Sequence, residues 1–103
     1  MSCIGGDYMV KHVVVFKLQE DKKDELDNFV KELRELPLKI GLIRSYEVGI
    51  DALRSPYSFD VVLISTYESM ADLLKYKEHP AHDEFVAYMR TIVQSLNAVD
   101  FVF

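Results

Sequence analysis

A seven-residue segment in the C-terminal half of the chain combines three side chains that can move protons. It consists of Tyr76-Lys77-Glu78-His79-Pro80-Ala81-His82. The ordinary pKa of histidine lies near working pH, so clustered histidines are the first candidates for proton transfer. His-Pro is also a simple way to begin a helix, because proline suits the first helical position. The segment therefore predicts either a general acid–base site or an ordinary helix start.

His82 is the candidate general base of this segment. If Pro80 is the first helical residue, His82 lies in the first turn, where the helix dipole disfavours a cation and keeps the imidazole neutral. Asp83 and Glu84 act in the opposite direction, and a surface histidine satisfied by hydrogen bonds is the simpler alternative. His79 precedes the proline, and we expect it to serve the backbone at the helix start.

Tyr76 and His12 are the other candidates for the site. Tyr76 falls on the apolar side of a short helix, where it either packs in the core or orients a ligand carbonyl through its hydroxyl. His12 lies in a strand in phase with Val14 and Phe16, so it is either a core residue or part of a cavity wall. The three histidines have no acidic or cysteine partner placed by spacing, and no glycine-rich phosphate loop occurs. We expect no metal and no cofactor.

Composition indicates one globular domain that does not bind nucleic acid. The chain has 103 residues, half of them hydrophobic, and a net charge of −5. Its twelve basic residues are outnumbered by seventeen acidic ones, so no basic stripe is available for a phosphate backbone. No apolar run is long enough to cross a membrane. The single cysteine, Cys3, cannot form an internal disulfide, which favours a reducing, cytoplasmic location.

Hydrophobic periodicity predicts the element order βαββαβ, with the second helix broken in two. Residues 1–8 are aperiodic and contain glycine, so we expect a disordered tail or a remnant of an upstream start, followed by a domain at 9–103. The predicted elements are a strand at 9–18, a helix that Pro37 ends, strands at 43–51 and 59–67, a short helix capped by Ser69, a helix from Pro80 whose apolar stripe reaches Leu96, and a strand at 99–103.

This element order predicts an α+β, ferredoxin-like fold, a four-stranded antiparallel sheet with helices on one face. The strands are apolar on both faces: Val61 and Leu63 point one way, Val62 and Ile64 the other. Helices can cover only one face, and the second would expose a large apolar patch. We therefore expect a homodimer in which two sheets pack face to face into an eight-stranded α+β barrel.

The chain resembles the stress-responsive dimeric α/β-barrel (Dabb) family from about residue 10 to its end. The resemblance implies this same fold and a homodimer. Its motifs are His12-Val13-Val14-Val15-Phe16-Lys17, Glu47-Val48-Gly49-Ile50-Asp51, Phe59-Asp60-Val61-Val62-Leu63, Tyr67-Glu68-Ser69, Leu73-Leu74-Lys75-Tyr76 with His79-Pro80-Ala81-His82, and Val99-Asp100-Phe101.

A plant branch of this family, similar in the Tyr-x-x-His-Pro-Ala-His segment, includes polyketide cyclases. Their proton-transfer residues correspond by motif position to Tyr76 and His82, and a first-strand histidine of their site to His12. Two hypotheses follow: a dimeric barrel that binds a small apolar or aromatic ligand, or a cofactor-independent cyclase, lyase or isomerase acting on a carbonyl compound. Both need a cavity between helices and sheet, which we expect to be lined by His12, Phe16, Val30, Leu33 and Leu63.

Overall fold

Residues 8–103 form four strands, three α-helices and one 3-10 helix. The computed structural model describes residues 8–103, so Cys3 and nearly all of the predicted tail lie outside the described residues. The elements are β1 (Val10–Leu18), a 3-10 helix (Glu20–Glu25), α1 (Leu26–Lys39), β2 (Ser45–Ile50), β3 (Val61–Tyr67), α2 (Met70–Glu78), α3 (Pro80–Met89) and β4 (Val93–Val102).

The strands form one antiparallel sheet in the order β2-β3-β1-β4. Alternate residues of β1 are buried, because the helices cover only one face of the sheet. His12 lies on this covered face, opposite Ser65 of β3 and Asp100 of β4. The predicted ferredoxin-like fold is confirmed.

The core lies between this covered face and α1. The ring of Phe29 meets the ring of Phe16 edge-on, with centroids 5.2 Å apart, and also packs against Phe85 of α3. Burying side chains of this size contributes most of the stabilising free energy of a small domain. The core residues of α1 are Phe29, Val30, Leu33 and Leu36.

Pro37 does not end the first helix, contrary to the prediction. The helix continues to Lys39, with the proline inside it. A proline has no N–H, so the carbonyl of Leu33, four residues earlier, loses its helical donor. The hydroxyl of Tyr46 in β2 donates to that carbonyl at 2.8 Å and replaces the missing bond.

The apolar stripe that begins at Pro80 is not all helical, contrary to the prediction. The helix ends at Met89, and the backbone N–H of Thr91 donates to the carbonyl of Tyr88 as the chain turns. From Val93 onward the chain pairs with β1, so the last strand begins well before residue 99. Apolar residues spaced three or four apart fit a helix face, but the β-branched pair Ile92 and Val93 favours a strand.

The other face of the sheet is not covered by any helix of the described residues 8–103. Its apolar side chains come from β1, β3 and β4, in agreement with the prediction that the strands are apolar on both faces. Val99 and Phe101 of β4 are 63% and 42% exposed, far more than any side chain of the core. We call this uncovered side of the sheet the open face, defined by Val13, Val15, Val62, Ile64, Val99 and Phe101.

Within residues 8–103, no helix combines the length and apolarity needed to cross a membrane.

Candidate functional site

A cavity of about 170 Å³ lies between the covered face of the sheet and the helices α2 and α3. Most of its wall is apolar, and its polar groups come from β1 and from the two helices. This combination is typical of small-molecule sites. The lining residues are His12, Val14, Phe16, Leu33, Leu63, Tyr76, Lys77, His82, Phe85, Val86, Met89, Leu96 and Ala98.

All but one of the residues predicted for the site lie in this wall. The exception is Val30, which is 3% exposed and belongs to the core of α1. Val30 and Leu33 are three residues apart on the same helix, and only the second reaches the cavity. The predicted residues that line the cavity are His12, Phe16, Leu33, Leu63, Tyr76 and His82.

His12 is held by a carboxylate that the sequence did not single out as a site residue. Its Nδ1 contacts Oδ1 of Asp100, directly across the β1–β4 ladder, and its side chain is 6% exposed. A carboxylate bound at Nδ1 holds a proton at that nitrogen and orients the imidazole ring. The two residues are 88 positions apart, so only the strand pairing could reveal their contact.

His82 has an unpartnered nitrogen in this site. Its Nδ1 is shielded from solvent and, among the described residues, has no hydrogen-bond partner. Burial lowers the pKa of His82, and although Asp83 acts to raise it, His12 and the Lys77 ammonium lower it further. The imidazole is therefore neutral at pH 7 and has a lone pair to accept a proton or a hydrogen bond.

Tyr76 packs between the two histidines. Its ring lies 4.7 Å from the ring of His82 and 6.2 Å from the ring of His12, measured between centroids. Burial raises the pKa of Tyr76 far above its ordinary value, and the neighbouring Tyr46 adds to this effect. Its hydroxyl therefore stays protonated, hydrogen-bonds with the hydroxyls of Tyr67 and Tyr46, and cannot act as a base at neutral pH.

His79 has the structural role expected of it. It caps α3, and its Nδ1 accepts a hydrogen bond from the backbone N–H of Ala81 at 3.0 Å. Ser69 caps α2 in the same way by accepting from the N–H of Asp72. These two caps position Tyr76 near the end of one helix and His82 in the first turn of the next.

The arrangement is suited to proton transfer rather than to holding a metal. Across residues 8–103, no three histidine, cysteine or acidic side chains are close enough together to ligate an ion. A neutral imidazole, an oriented imidazole and a phenol donor meet beside an apolar space. Such groups can move a proton to or from a small molecule, or bind its polar end.

The sequence pattern of the stress responsive A/B barrel domain matches residues 10–103, which include every element described above. The chain belongs to this family. The stress-response A/B barrel domain-containing protein DABB1 of Arabidopsis thaliana is 33% identical over 98 residues, which are 91% of this chain. The chain spans about half the length of that relative, since the match covers 47% of it.

Two solved structures show how widely this family fold occurs. A dimeric ferredoxin-like protein of unknown function from Bacteroides fragilis is 32% identical, with a TM-score of 0.79 over 92% of this chain and 96% of that one. A hydroxynitrile lyase from Passiflora edulis has a TM-score of 0.83 over 94% of each chain, at 17% identity. This second likeness shows the fold alone.

Proposed function

We propose that this protein is a homodimeric barrel that binds a small, mainly apolar molecule in the cavity between its helices and its sheet. The observation that carries the proposal is the cavity itself, an apolar space with a few polar groups along one part of its wall. Pockets of this kind bury the apolar body of a ligand and use a small number of polar groups to orient it.

The open face supports the homodimer. Its valine, isoleucine and phenylalanine side chains form a continuous apolar surface, and monomeric proteins rarely leave such surfaces exposed. A second copy of the same face would bury it through a two-fold axis, the commonest symmetry of homodimers. The related protein from Bacteroides fragilis is dimeric.

A substitution that fills the cavity tests the ligand site. Ala98 lies on exposed β4 and lines the cavity, so Ala98→Phe places a ring in the binding space without disturbing the core. We expect acetophenone to shift the amide resonances of cavity residues in the wild type, and its affinity to fall about tenfold or more in the variant, a loss of ~1.4 kcal/mol. Titration followed by ¹H–¹⁵N NMR measures both.

The matched control is Ala87→Phe, which adds the same ring on the exposed side of α3, away from the cavity wall. This variant should bind acetophenone as the wild type does. Equal binding by the wild type and Ala98→Phe would contradict the proposed site, as would shifts confined to residues outside the cavity.

A cofactor-independent enzyme is the second candidate, and the unpartnered nitrogen of His82 favours it. A neutral His82 would remove a proton from the carbon beside a ligand carbonyl, and the hydroxyl of Tyr76 would donate a hydrogen bond to the carbonyl oxygen. His12, oriented by Asp100, offers a second acceptor in the same cavity. The fold can support an enzyme, since the structurally similar protein from Passiflora edulis is a hydroxynitrile lyase.

A further inference from the structure

One residue of the cavity wall is basic, and its side chain is exposed to solvent rather than part of the core. This residue is Lys77, which lies in the last turn of α2, next to Tyr76. Among the described residues, thirteen line the cavity, and Lys77 is the only lysine, arginine, aspartate or glutamate among them. The other twelve are apolar side chains, Tyr76 and the two histidines. A lone cation in such a wall attracts an anion.

Lys77 differs from two other basic residues of the described chain, which have acidic partners. Lys23 pairs with Asp60 at 2.7 Å, and Arg44 pairs with Glu68 at 3.0 Å. No carboxylate anywhere in residues 8–103 forms an ion pair with Lys77. Asp100, the carboxylate beside His12, is already engaged by that imidazole.

The position of Lys77 in its helix offers a simpler explanation, because cations are favoured near a helix C-terminus. Lys75 lies in the same last turn and places an equally favourable positive charge there, yet it does not line the cavity. The charge of Lys77 also acts on His82, since it lowers the pKa of that imidazole. Lys77 and His82 both line the cavity, so one ligand can contact both residues.

We infer that the ligand of this cavity is a small apolar molecule with one carboxylate, and that the Lys77 ammonium binds the carboxylate while the apolar walls hold its body. This inference rests on the proposed function and names the class of molecule bound there. A single lysine suits a monoanion, whereas a phosphate is usually held by several donors or an arginine fork. The overall charge of −5 repels anions, so a preference for one requires a local group that binds it, and Lys77 is the basic residue of this wall.

Phenylacetate and phenylacetamide test the inference, because they have the same shape and differ in charge. We expect the wild type to bind phenylacetate about three- to fivefold more tightly, as is typical of a partly exposed charge pair. The variant Lys77→Gln should bind both equally, and the control Lys75→Gln should keep the wild-type preference. Added salt should weaken only the binding of phenylacetate to proteins that retain Lys77.

NMR titration of each protein with phenylacetate and with phenylacetamide measures these affinities, and each outcome has a distinct meaning. Equal binding of the two probes by the wild type would overturn the inference and leave the proposed ligand site standing. A preference that survives in Lys77→Gln would also overturn it, because another group would then bind the carboxylate. If neither probe perturbs the cavity resonances, both the inference and the proposed ligand site are wrong.

Discussion

His82 and His12 lie in the same cavity but are prepared for proton transfer in different ways. His12 is oriented by Asp100, whose carboxylate contacts its Nδ1. His82 is neutral mainly because burial lowers its pKa, and its Nδ1 has no partner among the described residues. A buried imidazole nitrogen without a hydrogen-bond partner is costly unless something binds it. This makes His82 the better candidate for contact with a ligand.

If the protein is an enzyme, replacing His82 should remove most of its proton-transfer rate. We expect His82→Ala to slow deuterium exchange at the methyl carbon of bound acetophenone by ~10²–10⁴-fold, the usual contribution of a positioned base. Because the pKa of His82 is lowered from 6.5, its neutral form persists below that pH. The rate should therefore fall only at pH values below about 6.5. Exchange followed by ¹H NMR at several pH values measures both effects.

His79→Asn is the control for this experiment. Asparagine can still cap α3 by accepting a hydrogen bond from the N–H of Ala81, so the helix start is preserved while a histidine of the same segment is lost. This variant should exchange at the wild-type rate. An unchanged rate in His82→Ala would refute the assignment of His82 as the base.

At the scale of the elements, side chains that are distant in sequence form hydrogen bonds with backbone groups that a helix or the end of a strand leaves without a partner. Tyr46 of β2 satisfies the carbonyl that Pro37 leaves without a donor in α1. Asp60, just before β3, accepts hydrogen bonds from the N–H of Leu18 at 2.8 Å and from Lys23 at 2.7 Å. It thereby joins the end of β1, the 3-10 helix and the start of β3.

Replacing the Asp60 carboxylate by an amide should weaken this junction in a pH-dependent way. Burial alone would raise the pKa of Asp60, but its bonds to Lys23 and Leu18 outweigh burial and lower that pKa below 3.8. The resulting stabilisation is present above pH 3.8 and is lost as the pH falls through the lowered value. We expect Asp60→Asn to lower the free energy of unfolding by about 2 kcal/mol at pH 7.

Urea unfolding at fixed protein concentration measures this difference, which should shrink toward zero as the medium is acidified below pH 3.8. The exposed Asp24, which takes no part in the junction, provides the control Asp24→Asn, and this variant should unfold like the wild type. Equal stability of Asp60→Asn and the wild type at pH 7 would show that the junction does not depend on charge.

The whole molecule has one face covered by helices and one left open. In the sheet formed by residues 8–103, both outer strands, β2 and β4, also have an unpaired edge. Face-to-face packing of two copies would bury the open face and bring these edges near one another, as the proposed eight-stranded barrel requires. The assembly would leave the cavity on the opposite, helical side of each sheet.

A charge placed on the open face should break this assembly. Val62 of β3 lies in the middle of that face, so Val62→Asp would bury an unpaired carboxylate in the dimer. We expect the wild type to sediment with twice the chain mass of 11.9 kDa and Val62→Asp to sediment as a monomer or to unfold. Leu38→Asp, at an 85% exposed position on α1, should remain dimeric.

A wild-type monomer at micromolar concentration would refute the barrel, and so would a stable dimer of Val62→Asp. Analytical ultracentrifugation distinguishes these cases, and circular dichroism shows whether the variant is folded. The ligand titration can be repeated on any folded monomer, so the cavity and the assembly are tested separately.

Local sequence was sufficient for most of the fold. The alternation of β1, the Ser69 cap and the His79-Pro80 helix start were all predictable, because each depends on residues close together in the chain. The C-terminal ends of α1 and α3 were not predictable from neighbouring residues. The helix continues past Pro37 because a hydroxyl from β2 completes its bonding, and α3 ends early because the residues after it pair with β1.

By itself, the sequence determined the order of the elements, the apolar surplus of the sheet and the residue types that can move a proton. Only the tertiary structure decided which of those residues meet. Asp100 reaches His12 because of the β1–β4 register, and a shift of one residue would turn it to the open face. Lys77 and Lys75 are equivalent by local pattern, yet only Lys77 lines the cavity. A site between helices and sheet depends on contacts between elements, and neighbouring residues along the chain do not specify them.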